Sequence, residues 1–227
     1  MPDNKYLNVF QQQSVAAEYD NFYLSETGQS IDSIEKELIM PYLKHLPKDK
    51  MLELGCGTGH WSEFFSRAGF HVTAVDASDA MLEIAKKKEI KNVVFQKADA
   101  GSLPFPDRYF HSVASITMLE FVEDINRVMN EIDRVLIPGG TLVVGCLNVL
   151  SEVGKNKDSD AVFKYGRFFT PETVRKLLSR FGTPSLSEGV YLSPEYKLLD
   201  NSPLQHTVSP VFIAASVIKN KNHGNYR

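Results

Sequence analysis

Residues 51–59 read Met-Leu-Glu-Leu-Gly-Cys-Gly-Thr-Gly, an apolar stretch with one acid that runs into glycines at every second position. The apolar part predicts a β-strand, and a helical pattern follows the glycines. Gly55, Gly57 and Gly59 let the backbone turn sharply and approach a ligand where any Cβ would clash. The segment therefore predicts a cofactor-binding loop between a strand and a helix.

The spacing of these glycines separates two kinds of nucleotide-binding loop. A dinucleotide fingerprint, Gly-x-Gly-x-x-Gly, that began at Gly55 would need a glycine where this chain has His60. Gly59 completes Gly-x-Gly-x-Gly instead, and the acid Glu53 precedes the loop. The segment thus resembles the first motif of the class I S-adenosylmethionine-dependent methyltransferases. The resemblance implies that the acid and the glycines lie near the amino-acid end of the cofactor, with Cys56 as a small neighbour rather than a nucleophile.

A second acid follows the next predicted strand. His71-Val72-Thr73-Ala74-Val75 alternates, contains β-branched residues and ends at Asp76. A carboxylate at this strand end is placed to accept hydrogen bonds from ribose hydroxyls. S-adenosylmethionine and NAD both carry such a ribose, so Asp76 predicts an adenosine cofactor without choosing between them. The alternative is a turn or capping acid, although Ser78 or Asp79 is available to cap the helix at 80–88. Ala77 and Met81 are predicted to lie beside the cofactor.

Three later segments extend the resemblance. A short strand at 92–96 leads to Asp99 and Ala100, which the resemblance places near the adenine amino group and beside the ring; a solvated loop acid is the alternative for Asp99. A fourth strand at 110–116 ends at Thr117, a further predicted cofactor contact. Thr117-Met118-Leu119-Glu120 differs from the Asn/Asp-Pro-Pro-aromatic segment of enzymes that methylate nucleic-acid base amines, which argues against that substrate class. Leu136-Ile137-Pro138-Gly139-Gly140 before the fifth strand is typical of the family.

The order of the predicted elements indicates the fold class. An amphipathic helix is predicted over 123–136, a strand over 141–146, a capped helix over 170–181 and late strands near 187–192 and 208–218. This order predicts an α/β fold with a Rossmann-like, doubly wound, seven-stranded sheet, mostly parallel with an antiparallel C-terminal edge strand. We expect a single methyltransferase domain over 1–227. Its predicted parts are an N-terminal helical lid (1–45), a cofactor-binding core (46–147), an insertion that is a candidate acceptor site (148–169), and a C-terminal helix with an edge hairpin (170–218).

Aromatic residues mark the two segments where substrate choice is expected. Tyr19 and Tyr23 lie in a predicted helix over 15–23, and similar enzymes fold such a helix over the cofactor as a lid. A cation above an aromatic ring is attracted by it, so Tyr19 is a candidate cofactor contact. Tyrosines on a helix also serve as packing residues. In the insertion, aromatic residues either line an acceptor pocket or form the core of a loop; they are Phe163, Tyr165, Phe168 and Phe169.

The mechanism that the resemblance implies is a one-step displacement by an O, N, S or C atom of the acceptor, which releases S-adenosylhomocysteine. The protein mainly aligns the reactants, and a general base is required only for an acceptor that arrives protonated. No spacing identifies the catalytic residues. Weak candidates near the predicted cleft are Glu120, His60 and His206. For Glu120, a surface acid at the start of a helix is the favoured alternative.

Composition limits the remaining classes. The chain has 227 residues, 43% hydrophobic and 23% charged, with a formal net charge of −3, as in an ordinary globular domain. The charge gives no reason to expect nucleic acid, and the N-terminus has no apolar stretch that predicts a signal peptide or membrane span. Cys56 and Cys146 fit a reduced, cytoplasmic compartment and no metal site. We therefore expect a small organic acceptor, as in quinone-biosynthesis methyltransferases, and a monomer or homodimer that binds neither nucleic acid nor membrane.

Two other functions stay open on the sequence. A non-catalytic regulator that binds S-adenosylmethionine would keep the glycines and lose only the acceptor site. An NAD-dependent oxidoreductase is disfavoured by His60 and by the lack of an evident Tyr-x-x-x-Lys segment.

Overall fold

A mixed sheet with helices on both faces makes up residues 9–200 and 207–221, the part of the chain that the computed structural model describes. The strands are β1 (Lys50–Leu54), β2 (His71–Asp76), β3 (Val93–Lys97), β4 (Phe110–Ile116), β5 (Leu136–Leu147), β6 (Ser185–Gly189) and β7 (Phe212–Ile218). The α-helices are α1 (Gln13–Tyr19), α2 (Asn21–Leu24), α3 (Glu26–Leu43), α4 (His60–Arg67), α5 (Asp79–Lys87), α6 (Ile125–Val135), α7 (Glu152–Asn156) and α8 (Pro171–Leu178). None of these helices is long and apolar enough to cross a membrane.

The strands of the sheet lie in the order β3-β2-β1-β4-β5-β7-β6. The pairs from β3 to β5 are parallel, and β7 is antiparallel to both of its neighbours, β5 and β6. The predicted Rossmann-like, mostly parallel sheet with antiparallel C-terminal pairing is therefore confirmed. The antiparallel strand lies inside the sheet and β6 forms the edge. This placement suits the sequences, because β7 is almost entirely buried whereas β6 carries polar residues.

Alternate residues of the inner strands face opposite sides of the sheet and enter two apolar cores. Leu52 and Val113 pack with residues of α6 and α8 on one face. Met51 and Ala114 pack with residues of α3 and α4 on the other face. Because both faces are covered, the carboxyl ends of the strands are the part of the sheet available to a ligand.

Some predicted boundaries differ from the observed ones. The fifth strand begins at Leu136 rather than at 141, because the Pro-Gly-Gly segment continues the extended chain with an irregular register against β4. The strand predicted near 187–192 ends at Gly189, since Val190 has φ of 63° and leaves the extended region. The helix predicted over 170–181 ends at Leu178, after the expected Thr170 cap and Pro171 start.

The helix predicted over 15–23 is broken into α1 and α2 at Asp20. The Asp20 carboxylate accepts a hydrogen bond from the Thr58 hydroxyl at 2.6 Å and forms an ion pair with Lys88 at 2.6 Å. Aspartate is also a poor residue for a helix interior. The break therefore follows from the side chain that ties this segment to the glycine loop.

Candidate active site

A cavity of about 190 Å³ lies at the carboxyl ends of β1, β2, β3 and β4. The chain moves outward from β1 to β3 and then continues with β4 on the other side of β1, and ligands of doubly wound sheets bind where the order reverses in this way. Nine predicted cofactor residues line the cavity: Gly55, Gly57, Asp76, Ala77, Met81, Asp99, Ala100, Thr117 and Tyr19. Glu53, Cys56 and Gly59 are not among its lining residues.

The three glycines of the loop share a backbone conformation but not their surroundings. Gly55, Gly57 and Gly59 have φ values of 70°, 52° and 86°, a region that strains other residues. A Cβ at Gly55 would lie 2.1 Å from the Met118 Cγ, and one at Gly59 would lie 2.9 Å from the Phe95 Cζ. A Cβ at Gly57 would meet nothing nearer than a Tyr19 ring carbon at 3.9 Å. Only at Gly57 is the space left open for a ligand to approach the backbone.

Asp76 is held at the wall of the cavity by two backbone N–H groups. The amide of Gly57 donates to its Oδ2 and the amide of Ser78 to its Oδ1, both at 2.8 Å. Ser78 caps α5 with its own hydroxyl, which accepts from the Met81 amide. Burial raises the pKa of Asp76, and the backbone donors oppose that rise. The carboxylate is therefore both part of a turn and available to a ribose, since each oxygen keeps a further lone pair.

The side chains of Glu53 and Cys56 are buried behind the glycine loop and do not line the cavity. Glu53 is 2% exposed, and the Ser62 hydroxyl donates to its Oε2 at 2.5 Å. Burial raises the pKa of Glu53 to about 8 against the lowering effect of this hydrogen bond. The acid thus joins β1 to α4 without leaving an unpaired charge in the core. Burial also raises the pKa of the Cys56 thiol well above its usual range, which does not suit a nucleophile.

Asp99 and Arg127 form the exposed rim on the β3 side of the cavity. Asp99 accepts a hydrogen bond from the Gly101 amide at 2.8 Å and lies 3.6 Å from the Arg127 guanidinium. Arg127 also donates to the Gly101 carbonyl at 2.6 Å. The Asp99 side chain is 62% exposed, so it keeps free acceptor positions for an amino group.

Thr117 turns the chain from β4 into the wall of the cavity. Its φ of 49° is unusual for a β-branched residue, and its amide donates to the Gly145 carbonyl at 2.8 Å. After this turn, Met118 and Phe121 also line the cavity. Such strain often accompanies functional sites.

The N-terminal segment covers the cavity next to the glycine loop. Phe10 and Tyr19 line the cavity, and the Phe10 ring packs edge-on against Phe121, with centroids 4.9 Å apart. The bond between Asp20 and Thr58 fixes this segment to the loop. The described part of the predicted N-terminal lid therefore contributes directly to the cavity wall.

Glu120 does not lie at the surface. Its side chain is completely buried, its Oε1 accepts from the Leu147 amide at 2.6 Å, and its Oε2 has no hydrogen-bond partner among the described residues. Burial raises the pKa of Glu120 to about 7. The surface alternative is wrong because the short 3₁₀ helix Leu119–Phe121 turns this side chain inward. Glu120 also stands outside the lining of the cavity.

His60 is engaged away from the cavity. Its Nε2 lies 2.7 Å from the Asp32 Oδ1 and 3.0 Å from the Lys36 Nζ, and its ring stacks on Tyr23 with centroids 3.6 Å apart. His206 lies outside the described residues. Neither Glu120 nor His60 lines the cavity.

The aromatic residues of the insertion are mainly packing residues. Phe168 and Phe169 are 7% and 4% exposed and belong to the apolar cores. Phe163 packs edge-on against Phe168, with centroids 5.4 Å apart. Of the two alternatives that the sequence left open, the core of a loop describes these three residues.

Several lining residues carried no signal in the sequence analysis. Most of them are neighbours of predicted contacts at the strand ends or lie at the start of α6. They could have been predicted by including the residues on either side of each strand end. Phe10 is different, because its contact with Phe121 joins distant parts of the chain. The additional lining residues are Phe10, Val75, Ala98, Gly101, Ile116, Met118, Phe121, Val122, Glu123, Asp124, Arg127 and Val128. In residues 9–200 and 207–221, no group of three or more His, Cys, Asp or Glu could hold a metal ion.

Known proteins resemble this chain in sequence and in fold. A family model described as a methyltransferase domain matches residues 52–144. An uncharacterized protein of Methanocaldococcus jannaschii is 31% identical over 180 residues, which are 78% of this chain and 81% of that protein. The ubiquinone/menaquinone biosynthesis C-methyltransferase of Vibrio cholerae is 34% identical over 139 residues, 58% of this chain and 53% of that enzyme. This chain thus spans about half the length of the quinone enzyme.

A solved structure agrees with the fold. The S-adenosylmethionine-dependent methyltransferase of Thermotoga maritima, described as a possible histamine N-methyltransferase, superposes with a TM-score of 0.74 at 24% identity. The superposition covers 94% of this chain and all of that one. This likeness shows the fold. The methyltransferase-domain match, the methyltransferases among the relatives and the glycine loop show that the chain belongs to the class I S-adenosylmethionine-dependent methyltransferases. It is an enzyme of that class.

Proposed function

We propose that the protein transfers a methyl group from S-adenosylmethionine to a small organic acceptor, and that Gly57, Asp76 and Asp99 hold the cofactor. The observation that carries this proposal is the open space at Gly57 beside the fixed carboxylate of Asp76. A glycine with positive φ and no packing partner is explained by a ligand that needs to approach the backbone there.

The other lining residues suit an adenosine cofactor. The Asp76 oxygens can accept hydrogen bonds from ribose hydroxyls, and the exposed Asp99 carboxylate can accept one from the adenine amino group. Ala98 and Ala100 offer apolar contacts for the flat ring. Tyr19 presents an aromatic ring near Gly57, where a positive sulfonium would be favoured.

The main task of the protein in this reaction is to align the methyl donor with the acceptor. When bound, the sulfonium supplies an electrophilic methyl carbon, and the thioether that leaves takes up no proton. We propose that the described part of the predicted lid, residues 9–45, closes over the cofactor, because Phe10 and Tyr19 line the cavity. In this role the lid excludes water and fixes the relative positions of the reactants, which lowers the barrier.

A small acceptor is supported by the names of the relatives. The Vibrio cholerae enzyme is named for quinone biosynthesis and the Thermotoga maritima protein for histamine. We propose that the insertion at 148–169 forms the outer wall of the acceptor site. The Arg167 amide donates to the Glu120 carbonyl at 2.8 Å, and a Cβ at Gly166 would lie 3.1 Å from the Phe121 ring, which lines the cavity.

The test compares Gly57→Ala with Gly69→Ala by thermal shift. Both glycines have positive φ, and a Cβ at Gly69 would meet only the Lys48 side chain, 3.6 Å away, so the backbone strain is matched outside the cavity. At about a hundred times its dissociation constant, S-adenosylhomocysteine should add about 2.7 kcal/mol to the stability of the wild type and of Gly69→Ala. That gain corresponds to roughly 5–10 °C for a domain of this size. Gly57→Ala should lose the shift.

Stabilisation by NADH without any by S-adenosylhomocysteine would overturn the proposed function. An unchanged affinity of Gly57→Ala would overturn the proposed place of the cofactor.

A further inference from the structure

Arg127 is the one positively charged side chain that lines the cofactor cavity in the part of the chain that the structure describes. It lies in the first turn of α6 and reaches the loop that follows β3. There its Nε donates to the Gly101 carbonyl at 2.6 Å, and a terminal guanidinium nitrogen, Nη2, lies 3.6 Å from the Asp99 Oδ2. The side chain therefore bridges α6 and the β3 loop at the rim of the cavity.

The loop after β3 leaves room for this side chain. A Cβ at Gly101 would lie 3.1 Å from both the Cδ and the Nε of Arg127, which is closer than a favourable contact between non-bonded atoms. Gly101 is not among the glycines with positive φ, so its backbone conformation does not require a glycine. The absence of a side chain at this position is explained by the passage of Arg127.

Arg127 and the Gly101 amide act on different oxygens of Asp99. The amide donates to Oδ1 at 2.8 Å, and the guanidinium lies near Oδ2. The Asp99 side chain is otherwise largely exposed, and an exposed side chain without contacts samples several rotamers. Arg127 therefore restrains the carboxylate that we propose as the acceptor for the adenine amino group.

The other end of this bridge is fixed by the start of α6. The Asp124 side chain caps the helix, because its Oδ1 accepts hydrogen bonds from the amides of Asn126 and Arg127 at 3.0 and 3.1 Å. Asp124 also lines the cavity. The helix cap thus fixes the backbone from which Arg127 extends to Asp99.

We propose that Arg127 is a positioning residue that acts through Asp99 to select a 6-amino purine over a 6-oxo purine in the cofactor. This inference rests on the proposed binding of S-adenosylmethionine and adds how the base is selected. The amino group of adenine donates to the Asp99 carboxylate. A hypoxanthine ring places a carbonyl oxygen at the same position, where two acceptors oppose each other. Arg127 strengthens this contrast by holding the carboxylate in place.

The contribution of Arg127 to stability should be small. The side chains of Arg127 and Asp99 are 57% and 62% exposed, and exposed ion pairs contribute little to folding. We therefore expect the unfolding temperature without ligand to change little when Arg127 is replaced. The ratio of the affinities for the two purines should change instead, and a merely structural role would leave that ratio as it is.

The experiment is isothermal titration calorimetry of the full-length protein with S-adenosylhomocysteine and with S-inosylhomocysteine, in which oxygen replaces the amino group. The wild type should bind the adenine ligand at least about tenfold more tightly, as expected for a hydrogen bond to a charged group. Arg127→Gln should reduce this preference about fivefold, which is the upper range for an exposed ion pair. Arg127→Lys keeps a positive charge, so its preference should fall between those of the wild type and Arg127→Gln.

Two further variants test the specificity of this effect. Arg180 donates to the Asn130 side chain of the same helix at 2.5 Å but does not line the cavity, so Arg180→Gln should keep the wild-type preference. Asp99→Asn should lower the preference, and adding Arg127→Gln to it should lower the preference no further, because the two residues act as one unit.

The outcomes separate this inference from the proposed function. A protein that does not bind S-adenosylhomocysteine contradicts the proposed function itself. A protein that binds both ligands equally well, or one whose preference is unchanged in Arg127→Gln, overturns the inference. A further loss of preference when Arg127→Gln is added to Asp99→Asn overturns the route through Asp99. Unfolding temperatures without ligand show whether each variant is folded; if Arg127→Gln is not, an unchanged preference in Arg127→Lys overturns the inference.

Discussion

Three glutamates lie in surroundings that favour their protonated form. Burial raises the pKa of Glu35 and Glu53 to about 8 and that of Glu120 to about 7. Of these, Glu53 has the most defined structural role, because it receives the Ser62 hydrogen bond under the glycine loop. A folded-state pKa above the unfolded value means that the folded chain holds a proton which the unfolded chain has released. Stability from such a group is complete at low pH and falls as the pH rises through this window.

Replacing Glu53 with Gln should flatten the pH dependence of stability between about 4.5 and about 8. Glutamine keeps a hydrogen-bonding group next to Ser62 and carries no charge, so the variant avoids a loss of up to about 1.4 kcal/mol per pH unit. Urea unfolding of the wild type, Glu53→Gln and the exposed-site control Glu37→Gln across this range checks the prediction. Parallel curves for the wild type and Glu53→Gln would contradict it.

Single residues also show how far the sequence determines the site. Spacing predicted the loop glycines, and Gly55 and Gly57 do line the cavity. Spacing could not predict which of the glycines faces the ligand. Whether a Cβ would meet Met118, Phe95 or open space depends on parts of the chain that are distant in sequence. The predicted surface position of Glu120 was wrong for a related reason. The sequence after a strand does not reveal that a 3₁₀ helix will turn an acidic side chain into the interior.

At the scale of elements, α1 and α2 are joined to the glycine loop and to α5 by polar and apolar contacts. Asp20 bonds to Thr58 in the glycine loop and to Lys88 after α5. Gln11 adds a hydrogen bond to the Ala77 carbonyl at 2.9 Å. The apolar contacts of this segment, such as that of Ala16 with Ala80 and Met81, belong to a small cluster apart from the two cores of the sheet. This segment is therefore expected to open at a lower free energy than the sheet does.

Asp20→Ala should weaken S-adenosylhomocysteine binding about tenfold and lower the free energy of unfolding by about 1–2 kcal/mol. The variant removes both contacts of the carboxylate, so the lid spends less time closed over the cavity. Calorimetry gives the affinity, and stopped-flow displacement should show a faster release of the ligand.

A suitable control for this prediction is Asp158→Ala, since Asp158 is 84% exposed in its pair with Lys157. If Asp20→Ala loses stability while its affinity and release rate match those of the control, the segment does not act as a lid.

Elements also show the limits of sequence patterns. Periodicity located the strands from β1 to β5, and the residue types at the helix starts predicted the caps of α5 and α8. It did not place β7 between β5 and β6, because alternation and apolar content describe a strand without naming its neighbours. Nor did it reveal the break at Asp20, which arises from side-chain contacts with residues far along the chain.

At the scale of the whole molecule, β7 joins the C-terminal part of the chain to the central sheet. Phe212 at its start is fully buried in one core. The ring lies so close to Gly145 of β5 that a Cβ there would be 2.4 Å from the Phe212 Cζ. The glycine and the phenylalanine therefore fit as a pair.

Phe212→Ala should lower the free energy of unfolding by about 3–5 kcal/mol, because it leaves a cavity between β5 and β7. Ile218→Ala, on the same strand but 62% exposed, should cost less than about 1 kcal/mol. Urea unfolding of the two variants provides the comparison. Similar losses for both would show that the end of the sheet contributes little to the stability of the whole domain.

The interior position of β7 also has a consequence for synthesis on the ribosome. Strands β1 to β5 can pair as they emerge, but β6 follows without a neighbour, since the strand that separates it from β5 has not yet been made. The edge of β5 to which β7 pairs therefore stays unpaired until Phe212–Ile218 has left the exit tunnel. We therefore expect the exposed edge of β5 to be the surface that a chaperone protects during translation.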